Sequence, residues 1–179
     1  MGDRKQAMDQ EFQDFVVGRW PRLTRTAFLL TGKQHAAEDL VQSTLERVYV
    51  AWRRVRAADD QEAYVRRVLI NTHARRHRRK LREFLAPRDD SGLAHEVPDT
   101  GDRMSQAEDR GVLLRALAGL PPRQRQAVVL RYWEDLTETQ TAEAMGCSVG
   151  AVKSNTAKGI AKLRGIPELA DMVTHGGRK

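Results

Sequence analysis

A chain of 179 residues with 31 Lys and Arg against 24 Asp and Glu carries a formal net charge of +7, a balance that points toward a polyanionic partner. Its single cysteine, Cys147, excludes an intrachain disulfide and any Cys-cluster zinc site, and fits a reducing compartment. No apolar run approaches the roughly 20 residues that cross a bilayer, and the opening MGDRKQAMDQ lacks the apolar core of a signal peptide, so a cytoplasmic protein is expected.

Strand-like alternation of Val, Ile and Thr is absent, whereas Ala, Leu, Arg, Glu and Gln dominate, so the fold class is all-α. The length suits one ordinary domain or two small ones with modest cores. The first helical pattern begins near Glu11, where Phe12, Phe15, Val16, Leu23, Ala27 and Leu30 recur at helical spacing. Pro21 predicts a kink or restart within it, Thr31-Gly32 closes it, and residues 1–10 are expected as a flexible tail. A second helix is predicted from about His35 to Val55, with Ala37, Leu40, Val41, Thr44, Val48 and Trp52 on a core face. Glu38, Asp39, Gln42 and Glu46 lie largely opposite and make an acidic side.

After a polar loop at 56–60, a third helix is predicted from about Gln61 to Phe84, with Tyr64, Val65, Val68, Leu69 and Thr72 inward. From Tyr64 to Arg82 it holds Arg66, Arg67, Arg75, Arg76, Arg78, Arg79, Lys80 and Arg82 and no carboxylate. Such a run has no i,i+4 partner of opposite sign within itself. Arg67, Asn71, Arg75 and Arg78 fall on one stripe, where a neutral amide among cations suits a base edge or flipped base while the arginines hold phosphates. The alternative is a solvated Arg-rich face with Asn71 incidental. His73 and His77 stand at i,i+4, but flanking arginines oppose a divalent cation and no third ligand is evident, so no metal site is expected.

Periodicity fails through residues 85–108, where Pro87, Gly92, Pro98 and Gly101 stand among acidic residues, and a flexible acidic linker is predicted. Val112 to Leu120 and Pro122 to Trp133 then read as two helices, with Pro122 suited to a first turn. The segment ETQTAEAMGCSVGAVKSNTAKGIAKL has helix-turn-helix spacing: Ala142 is small enough for a close crossing, Gly146 permits positive φ, and Ser148 caps the second helix. Val152 and Ile160 point inward, and Lys153, Asn155, Lys158 and Lys162 outward. From Ser148 through Arg164 there is no acid, so this helix suits a phosphate backbone, with its N-terminal half near base edges. A plain helical hairpin with a solvated lysine face is the alternative. Residues 166–179 show little periodicity and are expected as a second flexible tail.

Taken together, HAAEDLVQSTLERVY, AYVRRVLINTHARRHRR and LPPRQRQAVVLRYWEDLTETQTAEAMGCSVGAVKSNTAKGIAKLR, in that order, resemble the extracytoplasmic-function sigma factors of the sigma-70 family, particularly the small actinobacterial kind, over about Phe12 to Arg164. The resemblance implies a sigma-2-like helical bundle at 11–84 and a sigma-4-like helix-turn-helix domain at 109–165, joined by the linker. It implies a non-enzymatic subunit without cofactor that binds core RNA polymerase, through the β′ coiled coil and the β flap, and directs promoter recognition and opening on double- and single-stranded DNA. By position, Glu38, Asp39 and Gln42 face the polymerase. Arg67, Asn71, Arg78 and Arg79, with Arg75 of the same stripe, face the minus-10 element; Lys153, Ser154, Asn155 and Lys158, with the Ser148 cap, face the minus-35 element. The chain departs from the family pattern at Tyr64, usually Trp, at Arg75, often acidic, and at Asn155, often Arg. An anti-sigma protein is left open as a further partner. Two other classes stand beside this reading: a stand-alone helix-turn-helix regulator with a sensing bundle, and an Arg-rich nuclease, for which no clustered carboxylates or His-Cys-Asp arrangement is present.

Overall fold

The computed structural model describes residues 2–85 and 106–169, and every regular element among them is helical. The first half contains α1 (Gly2–Thr31), α2 (Gln34–Val50), α3 (Trp52–Arg56) and α4 (Gln61–Leu85). The second contains α5 (Gln106–Ala118), α6 (Pro122–Val128), a π-helical turn at Val129–Trp133, α7 (Glu138–Met145) and α8 (Val149–Arg164). Most of the expected linker, 86–105, and of the expected C-terminal tail, 170–179, lies outside the described residues.

Helix α1 departs from expectation at its start, and at Pro21 it continues rather than restarts. It begins at Gly2 rather than near Glu11, so residues 2–10 are helical instead of a flexible tail. Partners from the next helices account for this: the Tyr49 hydroxyl donates to Asp9 Oδ1 at 2.6 Å, Arg56 pairs with Glu11 at 3.0 Å, and Met8 packs against the Trp52 cluster. The helix also runs through Pro21. Phe12 and Phe15 before the proline and Ala27 and Leu30 after it all pack into the protein core, so docking outweighs the backbone hydrogen bond that proline forfeits. At the far end Gly32 adopts φ +75°, a left-handed position where glycine carries no Cβ penalty.

The predicted second helix is broken at Ala51 (φ −96°, ψ 11°) into α2 and α3. The break swings Trp52 beneath α1, where its ring meets Phe12 and Phe15 edge-on at centroid distances of 5.2 and 4.8 Å. In the second half, α5 starts at Gln106, inside the span expected as linker, because Gln, Ala and Glu there are good helix formers. The predicted helix over 122–133 ends instead in a π turn, with the Glu134 amide bonded to the Val129 carbonyl at 3.1 Å. One extra residue in that turn rotates Glu134 and Leu136 inward and leaves Tyr132 and Trp133 exposed.

Helix α7 opens with a capping box, in which the Thr137 hydroxyl accepts from the Gln140 amide and the Gln140 side chain accepts from the Thr137 amide. Gly146 closes it at φ 60°, and the Ser148 hydroxyl then accepts from the Ala151 amide to start α8. Ala142, the small residue predicted for the α7–α8 crossing, is buried, and a second close approach lies at Gly159, where an added Cβ would stand 2.7 Å from Val128 Cγ2 on α6.

The two halves are packed against one another. One buried cluster contains Ala27, Leu30 and Leu40 with Leu69 and Ile70 from the first, and Leu130, Leu136 and Val152 from the second. Arg125 of α6 donates to the Leu30 carbonyl at 2.7 Å, at the end of α1, and to the Leu120 carbonyl at 3.3 Å. Beside it, the Gln126 amide group lies 2.9 Å from His73 Nδ1 and 3.4 Å from the Ile70 carbonyl. Burial, reinforced by the positive charge of Arg125, holds the His73 imidazole down at about 4, with His77 and Arg76 acting the same way.

Two expectations follow from this packing. Gly159→Ala should lower the thermal midpoint, because the overlap with Val128 costs about 1–3 kcal/mol and exceeds the roughly 1 kcal/mol gained in helix propensity; an unchanged or raised midpoint contradicts the close crossing. His73 ionises more readily in the unfolded chain, so its contribution is complete above pH 6.5 and is lost as pH falls from 6.5 toward about 4, by an amount on the order of 3 kcal/mol. His73→Asn should remove that part of the acid sensitivity in urea unfolding across this window. Parallel pH profiles for the two proteins would contradict it.

Candidate nucleic-acid interface

The arginine run on α4 divides into inward and outward members. Arg76 turns onto α2, donating to the Asp39 carbonyl at 2.9 Å and the Ser43 hydroxyl at 2.6 Å. Arg66, with a side chain only 14% exposed, points at Glu134 across the two halves at 3.7 Å. Arg67, Asn71, Arg75, Arg78 and Arg79 are all exposed, so the stripe expected from spacing is a surface. Arg79 forms an exposed pair with Glu83 at 3.0 Å, which contributes little in water. Arg67 donates at 3.3 Å to the Glu143 carbonyl of α7, so the stripe's first cation already touches the second half. His73 is buried at the interface while His77 faces solvent, and among the described residues no three His, Cys, Asp or Glu side chains converge as for a metal ion.

On α8, Lys153, Ser154 and Lys158 are exposed. Ser148 is spent on the helix cap, and the Asn155 amide folds back to donate to the Ala151 carbonyl at 2.8 Å. Lys153 also reaches Glu138 of α7 at 3.4 Å. The helix therefore presents a cationic side whose N-terminal end carries the unpaired amides that favour phosphate.

The acidic side of α2 resolves into two neighbouring surfaces. Glu38, Gln42 and Glu46 line one wall of an open cleft of about 500 Å³ whose other lining includes Phe12, Trp20, Leu45 and Tyr49. Gln34 donates to Glu38 at 2.6 Å and Gln42 to Glu46 at 3.4 Å, which orders the row along the helix. Asp39 is half-buried, 4.0 Å from His35, and does not line that cleft. Glu46 and Trp20 line the same cleft as Glu38 and Gln42, although the sequence reading put neither among its candidate site residues. Their signal was legible, since Glu46 extends the i,i+4 row and Trp20 is an aromatic with no place in the core pattern.

The residue that sequence reasoning missed entirely is Glu134. Its carboxylate is 4% exposed and is met by Arg22 of α1, through Nη2 at 2.8 Å and Nε at 3.1 Å, by Arg66, and by the Thr26 hydroxyl, which donates to the other oxygen. No helix among the described residues is long and apolar enough to cross a membrane.

The chain is similar to known proteins. The family model for sigma-70 region 2 matches residues 17–83, and that for sigma-70 region 4 matches residues 110–163. The chain is 38% identical over 157 residues to the RNA polymerase sigma-E factor of Streptomyces coelicolor, covering 86% of this chain and 84% of that one. It is 38% identical over 165 residues to the sigma-E factor of Streptomyces avermitilis, covering 90% and 88%. Its fold matches the sigma factor RpoE of Bartonella quintana, solved in complex with the anti-sigma factor NepR, with a TM-score of 0.65 at 23% identity over 87% of this chain and 95% of that one. With both helical regions matched in order along one chain, the protein belongs to the sigma-70 family, as a non-enzymatic RNA polymerase sigma factor of the extracytoplasmic-function type.

Proposed function

We propose a division of labour for the sigma factor among three surfaces. The α1–α4 half docks on core polymerase through the row Glu38, Gln42 and Glu46 with Asp39 beside it, and offers the cleft floor of Phe12, Trp20 and Tyr49 to the β′ coiled coil. The exposed face of α4, with Arg67, Asn71, Arg75, Arg78 and Arg79, receives the minus-10 element. The arginines hold phosphates while the Asn71 amide meets a base edge, including bases exposed as the strands part. The α5–α8 half lays α8 in the major groove of the minus-35 element with Lys153, Ser154, Asn155 and Lys158 facing DNA, and Ser148 fixes where that helix begins. Its exposed Tyr132 and Trp133 suit contact with the β flap. The work is cytoplasmic, where polymerase and promoter are, and an anti-sigma protein is a fitting partner because the fold-level neighbour from Bartonella quintana was solved with one.

One observation carries the reading: a solvent-facing stripe of arginines with a single neutral amide at its centre, on a helix with no acid from Tyr64 to Arg82. Asn71→Ala removes a base contact and no charge, so with purified core polymerase it should slow promoter opening about tenfold while closed-complex affinity changes about twofold or less. Equal loss at both steps would refute the base-reading role.

Charge reversal separates the two acidic surfaces. Glu38→Arg should weaken binding to core polymerase about tenfold or more, and more than Asp39→Arg does, since only Glu38 borders the aromatic cleft. Full retention of core affinity by the Glu38 variant would contradict the docking assignment.

A further inference from the structure

Among the described residues, the polar partners of the Glu134 carboxylate, Arg22, Thr26 and Arg66, all belong to the first half, although Glu134 itself sits in the second. Around it Arg19 pairs with Glu62 at 2.5 Å, so the pocket gathers three arginines and two carboxylates, with a cavity of about 20 Å³ that has room for one water. Next to this cluster α7 lies over the start of α4, where Ala63, Tyr64 and Arg67 line a shared cavity with Gln140, Glu143 and Ala144. The closed chain therefore spends two cations of α4, Arg66 and Arg67, on the second half.

That closed arrangement does not fit both promoter elements together. Their names place them about 25 base pairs apart, or roughly 85 Å at about 3.4 Å per pair. A single globule of about 150 residues has a radius of gyration near 15 Å. The 20 residues between Leu85 and Gln106 span at most about 70 Å when extended, so covalent geometry allows the halves to part far enough.

We propose that Glu134 is an internal stand-in for a promoter phosphate: its carboxylate holds Arg66 and Arg22 in the closed chain, and parting of the halves exchanges that carboxylate for DNA phosphate. Arg66 then joins Arg67 and Asn71 as a DNA-contacting residue at the start of α4, and Arg22 extends the same cationic corner from α1. DNA and the second half compete for one set of guanidinium groups. The inference rests on the sigma-factor reading, because it takes α4 to be a DNA-facing helix.

The experiment uses the full chain carrying dyes at Val50, the exposed last residue of α2, and at Lys162 of α8, each replaced by cysteine in a Cys147→Ser background, without polymerase. Glu134→Gln should shift the transfer-efficiency distribution toward longer separations and tighten binding of a fluorescent single-stranded oligonucleotide of minus-10 sequence about tenfold. Adding Arg66→Met to Glu134→Gln should remove most of that gain while leaving the separation long. Arg22→Met, at the exposed edge of the clasp, should lengthen the separation in the same direction and serves if the Glu134 variant loses its helical circular dichroism. Unchanged separation and unchanged oligonucleotide affinity in a folded Glu134 or Arg22 variant would overturn the clasp. A transcription assay with core polymerase reads the other matter independently: no stimulation by the unmodified chain would sink the sigma-factor assignments, whereas normal stimulation with unaltered distances sinks only the clasp.

Discussion

The packing of the two halves centres on one buried carboxylate satisfied from across the chain. Glu134 is delivered inward by the π turn at Val129–Trp133, with Asp135 at φ 53° turning the backbone out again behind it. A buried acid without cations is far costlier than one held by guanidinium groups, and removal of a partner from such a pair costs about 3–5 kcal/mol. Its partners being Arg22, Thr26 and Arg66, the low-energy state of Glu134 exists only when the halves are together. Apolar packing between Leu30, Ile70 and Leu130 and the hydrogen bonds of Arg125 and Gln126 reinforce the same arrangement. The clasp is thus a polar lock set on a shared hydrophobic surface.

The same geometry explains how a helix with eight cations and no acid between Tyr64 and Arg82 is tolerated. Arg66 is matched by Glu134, and Arg76 is matched by a backbone carbonyl and a hydroxyl on α2, which anchor α4 without adding negative charge. Among the described residues, the outward arginines meet no carboxylate except in the weak, exposed Arg79–Glu83 pair. Their mutual repulsion falls when a polyanion arrives, so binding energy is stored in the surface rather than in a preformed pocket. On α8 the economy differs. Its cations are fewer, and the cap at Ser148 and the turn at Gly146 set the helix direction so that its N-terminal end leads.

Local rules carried much of the structure into the sequence. The Gly32 and Gly146 turns, the Pro122 start, the Ser148 cap and the core faces of α2 and α4 follow from backbone preference and a period of 3.6, and all are present. The order of motifs was enough to identify the family. What the sequence hid was relational. Periodicity sets Arg67 on the outer stripe, but it cannot show that Arg66 is covered, because the carboxylate it meets, Glu134, comes from the other half of the chain. It does not reveal that α1 is helical back to Gly2, since Met8 and Asp9 find their partners 40 or more residues away. Nor does it show a π turn, whose extra residue is dictated by where Glu134 and Leu136 must go.

The clasp is most directly tested by a double-mutant cycle between Arg66→Met and Glu134→Gln, read as urea-unfolding free energies of the intact chain. Held together as described, the two residues should be coupled by about 1 kcal/mol or more, with the double variant less destabilised than the sum of the singles. Additivity within about 0.5 kcal/mol would show that Glu134 does not depend on the opposite half, and would contradict the account.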